Sequence, residues 1–287
     1  MGGGVVLSTA PLRAIEPIAR HGSPKFKFSL AAYSYRDLLM GAPPKLTLDD
    51  FVNDCAKMNL DGTELTSYYF PTLTTNDYLC QLKRQCFRLG LDISGTAVGN
   101  DFGLPPGEAR DEQIALVKQW IDHSQVLGAP VIRIFAGKLK EGASPARGYR
   151  LMVEGIEECC DYAGQRGVHL ALENHGGPTA TPDGMLDFVR DIRSAWFGLN
   201  LDTGNFFGED PYSELAQIAP YALNVQIKVV TSDDQKQNKK PTDFPRLAQI
   251  LRDVGYRGYI VLEYEEDGDP RKECPRYVAM IREAFAS

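Results

Sequence analysis

Along most of this chain a short apolar run ends on a polar or charged residue and is followed by a helical stretch with one apolar face. That alternation constrains the fold more than any other feature. Residues 26–33 read as a first strand, and Thr47-Leu-Asp-Asp50 is a capping box opening a helix with Leu48, Phe51, Val52, Cys55 and Met58 on one side. A second strand is expected at 61–65, a helix at 76–89, a third strand at 91–98, and a helix at 111–127 that turns Ile114, Val117, Ile121 and Ser124 inward. Residues 130–135 form the fourth strand, and a helix at 148–165 leads into 168–173, the fifth. Pro182 sits at the first turn of the next helix, where its missing N–H costs nothing. Strands six, seven and eight fall at 196–201, 222–229 and 258–263; a helix at 244–254 precedes the last, and Cys274, Tyr277, Val278, Ile281 and Phe285 line a closing helix.

Eight strand–helix units in 287 residues, with no linker or composition break, predict a single (β/α)8 TIM barrel over 26–287, preceded by an N-terminal extension over 1–25. A doubly wound sheet is the runner-up, but it calls for a glycine-rich phosphate loop after an early strand, and here Tyr33-Ser-Tyr-Arg36 follows the first. A net charge of -7 gives no general attraction to nucleic acid or to an anionic membrane, so neither is expected as a partner. The basic cluster at 236–240 is short, follows Asp233-Asp234, and reads as a solvated loop, with a substrate-phosphate contact as the minority reading. The six cysteines show no CxxC pair and are expected to be reduced core thiols. No basic region or long apolar run marks the opening residues, so cytoplasmic residence is expected. The small residues after a short apolar run at 1–14 also resemble the back end of a signal peptide, which keeps an exported protein as the alternative.

The chemistry gathers where the strands run out. In a parallel barrel the carboxyl ends of the strands form the ligand-binding mouth. The polar residues there are Tyr33 and Tyr35 on the first strand, Glu64 on the second, Thr96 on the third and Arg133 on the fourth. Glu173 and His175 follow on the fifth, Asp202 on the sixth, Gln226 and Lys228 on the seventh, and Glu263 on the eighth. Three acids and an amide thus converge on one mouth from four adjacent strands, and the three like charges would repel by several kcal/mol in a partly dry site unless a cation neutralises them or protons are taken up. One divalent metal held by Glu173, Asp202, Gln226 and Glu263 resolves this, with Mn(II) or Mg(II) favoured by the oxygen ligands and Co(II) or Zn(II) as alternatives. The competing explanation is that Arg133 and Lys228 pair with the acids.

Leu170-Ala-Leu-Glu-Asn-His175, Gly198-Leu-Asn-Leu-Asp-Thr-Gly-Asn205, Val225-Gln-Ile-Lys228 and Tyr259-Ile-Val-Leu-Glu263 resemble, in order and spacing, the xylose-isomerase-like TIM barrels of the sugar phosphate isomerase/epimerase superfamily. The resemblance runs from about Phe26 to Phe285. It implies a metal held by a Glu, Asp, His, Glu quartet whose two Glu residues exchange protons with the substrate, so that Glu173 and Glu263 become ligands acting as base and acid and Asp202 a ligand alone. The chain departs from that pattern at Gln226, where the family usually has His, and at Asn205, where some members place a substrate-contacting His.

The expected activity is isomerisation or epimerisation of a small sugar or sugar derivative, by proton transfer alpha to a carbonyl through an enediolate. His175, Arg133, Lys228, Glu64, Asn205 and Tyr35 would hold the substrate, and Tyr33, Tyr68, Tyr69, Phe206 and Phe207 would wall the pocket. A dehydratase or lyase of inosose or keto-sugar type is the alternative chemistry, and a non-catalytic carbohydrate-binding barrel the alternative class. A phosphodiester-cleaving relative would be expected to need several His ligands for a multinuclear zinc site, and of the four His in this chain only His175 stands at an evident strand end. A homo-oligomer is left open.

Overall fold

A computed structural model of the chain describes residues 15–142, 144–233 and 238–286. The strands are β1 (Lys25–Ala31), β2 (Gly62–Thr66), β3 (Asp92–Ala97), β4 (Val131–Ile134), β5 (His169–Glu173), β6 (Phe197–Asp202), β7 (Ala222–Ile227), β8 (Val230–Asp233), β9 (Asn238–Pro241) and β10 (Arg257–Leu262). The helices are α1 (Arg36–Leu39), α2 (Leu48–Lys57), α3 (Asn76–Arg88), α4 (Glu108–Leu127), α5 (Pro145–Gly164), α6 (Pro182–Asp191), α7 (Pro211–Ile218), α8 (Phe244–Asp253) and α9 (Pro270–Ala286). Eight strands close into a barrel in the order β1-β10-β7-β6-β5-β4-β3-β2, every pairing parallel, with helices on the outside. This is the single (β/α)8 barrel that the alternation predicts.

Local signals set the helix starts. The Thr47 hydroxyl accepts from the Asp50 N–H at 3.2 Å while the Asp50 carboxylate accepts from the Thr47 N–H at 2.9 Å, closing the capping box at the head of α2. Thr75, Ser144 and Thr181 cap α3, α5 and α6 through a hydroxyl that accepts one backbone N–H, without the reciprocal bond, and Pro182 occupies the first turn of α6. The inward face expected for α4 is present: Ser124 is fully buried, and its hydroxyl lies 2.9 Å from that of Thr96. Thr96 therefore turns toward the helix layer rather than into the mouth. The core lies chiefly between barrel and helices, with Phe51, Ile121, Ile156 and Phe188 buried from the helical side.

The fold adds to the reading at two places. The stretch after β7 is an antiparallel hairpin of β8 and β9, whose second strand takes in residues 238–240 of the basic cluster, where a loop was expected; residues 234–237 lie outside the described residues. Residues 15–24 strap across the amino-terminal face of the barrel, with Ile18 N–H on Pro220 O at 3.0 Å and Arg20 Nη2 on Ala222 O at 2.6 Å. Residues 1–14, and with them the targeting question, lie outside the described residues. All six cysteines are free, five of them buried and Cys80 exposed. Among the described residues no helix is long and apolar enough to cross a membrane.

Candidate active site at the carboxyl-terminal mouth

Strand periodicity delivers the site. Alternate residues point into the barrel, so β6 sends in Asn200 and Asp202, and β7 sends in Asn224, Gln226 and then Lys228. The registers Glu173↔Asn200 and Asp202↔Gln226 stack these side chains in layers. Glu263 follows β10 directly and is fixed by its N–H on Ile227 O at 2.9 Å. Glu64, Arg133, Glu173, Asp202, Gln226, Lys228 and Glu263 are all buried, the most open being Lys228 at 8%.

The lower layer is a closed ring. Gln226 Nε2 donates to Glu64 Oε1 at 2.7 Å and Asn224 Nδ2 donates to Glu64 Oε2 at 2.9 Å. Asn200 Nδ2 donates to Gln226 Oε1 at 2.6 Å, and Asn224 Nδ2 also reaches Asn200 Oδ1 at 2.9 Å. Burial, together with the nearby Glu263 charge, pushes the Glu64 carboxyl up to about 7, against the two amide donors and Arg133, which favour its anion.

The upper layer holds the charges. Arg133 Nε lies 2.9 Å from Glu173 Oε2, Asn205 Nδ2 donates to Glu173 Oε1 at 3.0 Å, and Arg133 Nη1 donates to Val98 O at 2.9 Å. The Lys228 ammonium contacts Glu263, Glu265 at 2.8 Å and Asp202 Oδ2 at 3.3 Å. Asp202 Oδ1 accepts from the Gly204 N–H at 2.8 Å, whereas Oδ2 is buried and faces the Lys228 ammonium at 3.3 Å. Burial raises Glu173 well above the ordinary carboxylate range; Arg133 opposes the shift and Asp202 and Glu263 add to it. Asp202 is pushed up to about 7, again by burial first, with Lys228 opposing. Burial works against the charges of Arg133 and Lys228, but the surrounding carboxylates outweigh it and both bases are raised. The mouth is thus an acidic cluster threaded by two buried cations.

The donor chemistry suits a hard divalent ion: three carboxylates and an amide oxygen on Gln226 that keeps a second lone pair beside its bond from Asn200. These groups are not drawn into a ready shell, since among the described residues no three His, Cys, Asp or Glu side chains are gathered as a metal cluster.

Of the residues singled out in the sequence, Arg133, Glu173, Asp202, Gln226, Lys228 and Glu263 come together, with Glu64 beneath and Asn205 beside Glu173. His175 lies at the rim, its ring 4.6 Å from that of Phe135. Tyr35 is not at the mouth: it follows β1 in a short 3-10 turn that points it outward, where it is buried edge-on against Phe51 at 5.2 Å. Phe206 is likewise sealed in the core, while Phe207 lines a hollow of about 190 Å³ over Lys228. Four residues escaped the sequence reading. Asn200 and Asn224 lie two residues before Asp202 and Gln226, so counting back by the strand period would have found them. Asn174 clasps the backbone of Asp202 through both ends of its amide, at 2.8 and 2.9 Å. Glu265 lies beyond its strand and carries no local signal. A larger cleft of about 870 Å³ opens over the ends of β3, β4 and β5, beside the carboxylates rather than around them.

Comparison with known proteins agrees with this architecture. The human protein named "Putative hydroxypyruvate isomerase" is 23% identical over 232 residues, covering 72% of this chain and 81% of that one. The structure of D-psicose 3-epimerase from Clostridium cellulolyticum H10 superposes with a TM-score of 0.75 at 15% identity, over 90% of this chain and 99% of that one. The probable 3-DHS dehydratase of Bacillus anthracis gives a TM-score of 0.68 at 17% identity, over 91% and 99%. At such identities the likeness to the solved structures establishes the fold alone. The family model for the xylose isomerase-like TIM barrel matches residues 52–284, and with the closed parallel barrel and its acid-lined mouth this chain belongs to that family.

Proposed function

We propose that the chain is an isomerase or epimerase of a small sugar or sugar derivative, working by proton transfer alpha to a carbonyl. The observation that carries this is the convergence of Glu173, Asp202 and Glu263 with the buried cations Arg133 and Lys228 in one layer of the barrel mouth. The names of the human relative and of the epimerase with the same fold support the reaction class.

In this reading Glu263, paired with Lys228, removes the carbon-bound proton as a carboxylate. The electron pair left behind becomes an enediolate, whose oxygens the ammonium of Lys228 and the guanidinium of Arg133 stabilise. Glu173, whose burial favours the protonated form, returns a proton. Delivery to the opposite face of the same carbon gives epimerisation, and delivery to the neighbouring carbon gives isomerisation. His175 and Asn205 orient hydroxyl groups. A divalent ion, Mn(II) or Mg(II) by the oxygen ligands, would be held by Glu173, Asp202, Glu263 and the Gln226 carbonyl, and would supply Lewis-acid polarisation of adjacent carbonyl and hydroxyl oxygens.

Dehydration is the second reading. The contact between Lys228 and Glu263 favours it, because an ammonium beside the base is placed to protonate a departing hydroxyl.

The test is incubation of ketoses, keto acids and inososes with the protein in deuterium oxide, with and without added metal. Solvent deuterium should enter a carbon alpha to the carbonyl, and Glu173→Gln or Glu263→Gln should slow that exchange by about 100-fold or more, as for loss of a general acid or base. Exchange indifferent to both substitutions removes the assignment. Loss of water from the labelled substrate selects dehydration, and saturable binding without exchange selects the non-catalytic barrel.

A further inference from the structure

We propose that the cleft over the ends of β3, β4 and β5 is a second subsite that holds a further sugar ring, joined through a glycosidic bond to the keto sugar at Glu173 and Glu263. It rests on the isomerase reading above only for the identity of the reacting ring. His175 and Phe135 line the cleft on the side nearest the catalytic centre. His175 stands two residues beyond Glu173, and the Phe135 ring carries the Arg133 guanidinium at 4.1 Å, which in turn pairs with Glu173. A substrate anchored at the carboxylates and extended toward β4 therefore enters this cleft.

Its volume argues for the class of occupant. The cleft encloses about 870 Å³, within the roughly 300–1,000 Å³ of sites that hold drug-sized ligands. A three-carbon keto acid or a single hexose at the carboxylates leaves it unfilled.

The walls are built rather than collapsible. Asn100 clasps the backbone of Phe135 from both sides, donating to its carbonyl at 2.8 Å and accepting from its N–H at 3.0 Å. Asp101 Oδ1 accepts from the N–H groups of Gly103 at 2.9 Å and Lys138 at 3.1 Å, while Oδ2 takes the Lys140 ammonium at 2.5 Å. On the opposite side the Thr179 hydroxyl accepts from the His175 N–H at 2.9 Å. The loops after β3 and β4 are stitched into one piece facing the loop after β5. The lining suits a pyranose: the Phe135 and His175 rings, 4.6 Å apart and tilted by 46°, offer apolar surface to its C–H groups, and Gln113, whose Oε1 accepts from the Asp101 N–H at 3.0 Å, keeps its amide N–H groups for hydroxyls.

Isomaltulose, lactulose and leucrose, ketoses that carry a pyranose on different hydroxyls, can be titrated against D-fructose and D-tagatose by calorimetry and saturation-transfer NMR, with deuterium exchange followed in parallel. At least one disaccharide should bind about 10-fold more tightly than the monosaccharides, a difference of about 1.4 kcal/mol. Leu139→Trp, at a cleft-lining position that is 44% exposed, should abolish that advantage while leaving fructose affinity and the melting temperature unchanged. Leu139→Ala should keep it. Disaccharides that bind no better than fructose, or an advantage that survives Leu139→Trp, overturn the subsite even where fructose exchanges deuterium. Disaccharide binding that Leu139→Trp abolishes, with no exchange in any sugar, retains the subsite and discards the isomerase reading.

Discussion

Glu64 shows how one buried side chain links the mouth to stability. Two amide donors, Gln226 and Asn224, hold its carboxylate in the ring beneath the charged layer, yet burial outweighs them and pushes its carboxyl up to about 7. A folded-state value above the ordinary carboxyl range means that the folded protein holds this proton more tightly than the unfolded chain. Its contribution is therefore present below pH 4.5 and lost as the pH rises through about 7, amounting to about 3 kcal/mol at most. Urea midpoints of the wild type should fall between pH 5 and pH 8, and Glu64→Gln should flatten that slope; equal slopes in the two proteins would remove Glu64 as its source. The residue identities at the mouth were legible because charged side chains at the ends of apolar strands stand out. Their pairing was not. That Arg133 serves Glu173 while Lys228 serves Asp202, Glu263 and Glu265 depends on which strands are neighbours.

At the scale of elements, helices and barrel strands were readable because each carries its own period and its own start signal, as Thr47 and Pro182 show. The hairpin of β8 and β9 was not readable. Residues 238–240 are exposed and polar, so β9 has no apolar alternation, and it is a strand only because its backbone finds β8. The loop after β4 turns on Gly137, whose φ of 107° lies in the region that favours glycine. A Cβ there would stand 2.1 Å from Asp101 Oδ1 and 2.7 Å from the Gly103 nitrogen. Gly137→Ala should therefore lower stability by about 2 kcal/mol or more and weaken sugar binding beyond what the stability loss explains. A urea midpoint within error of the wild type would show that the loop relaxes freely.

For the whole molecule, the segment before the first strand is a working part of the barrel. Arg20 crosses to Ala222 O at 2.6 Å, Pro220 O at 3.3 Å and Val254 O at 3.4 Å, tying 15–24 to the amino-terminal face, opposite the mouth. Arg20→Ala should cost about 2 kcal/mol, as for lost hydrogen bonds to a charged donor, and lower the melting temperature by several degrees without changing deuterium exchange at the mouth. An unchanged melting temperature would reduce the strap to a passive tail. By itself the sequence determined the barrel, since strand and helix periods are local and eight of them without a break leave one closed arrangement. It also pointed Glu173, Asp202 and Glu263 to one mouth, because a strand end in a parallel barrel has one destination, but it gave no sign of Glu265. Only the tertiary structure decided that Tyr35 packs outward on Phe51, that Asn200 and Asn224 close a ring on Glu64, and that two cations sit among the acids. Those outcomes depend on register between strands far apart in the chain and on the low dielectric of the closed interior, which makes each buried charge find a partner.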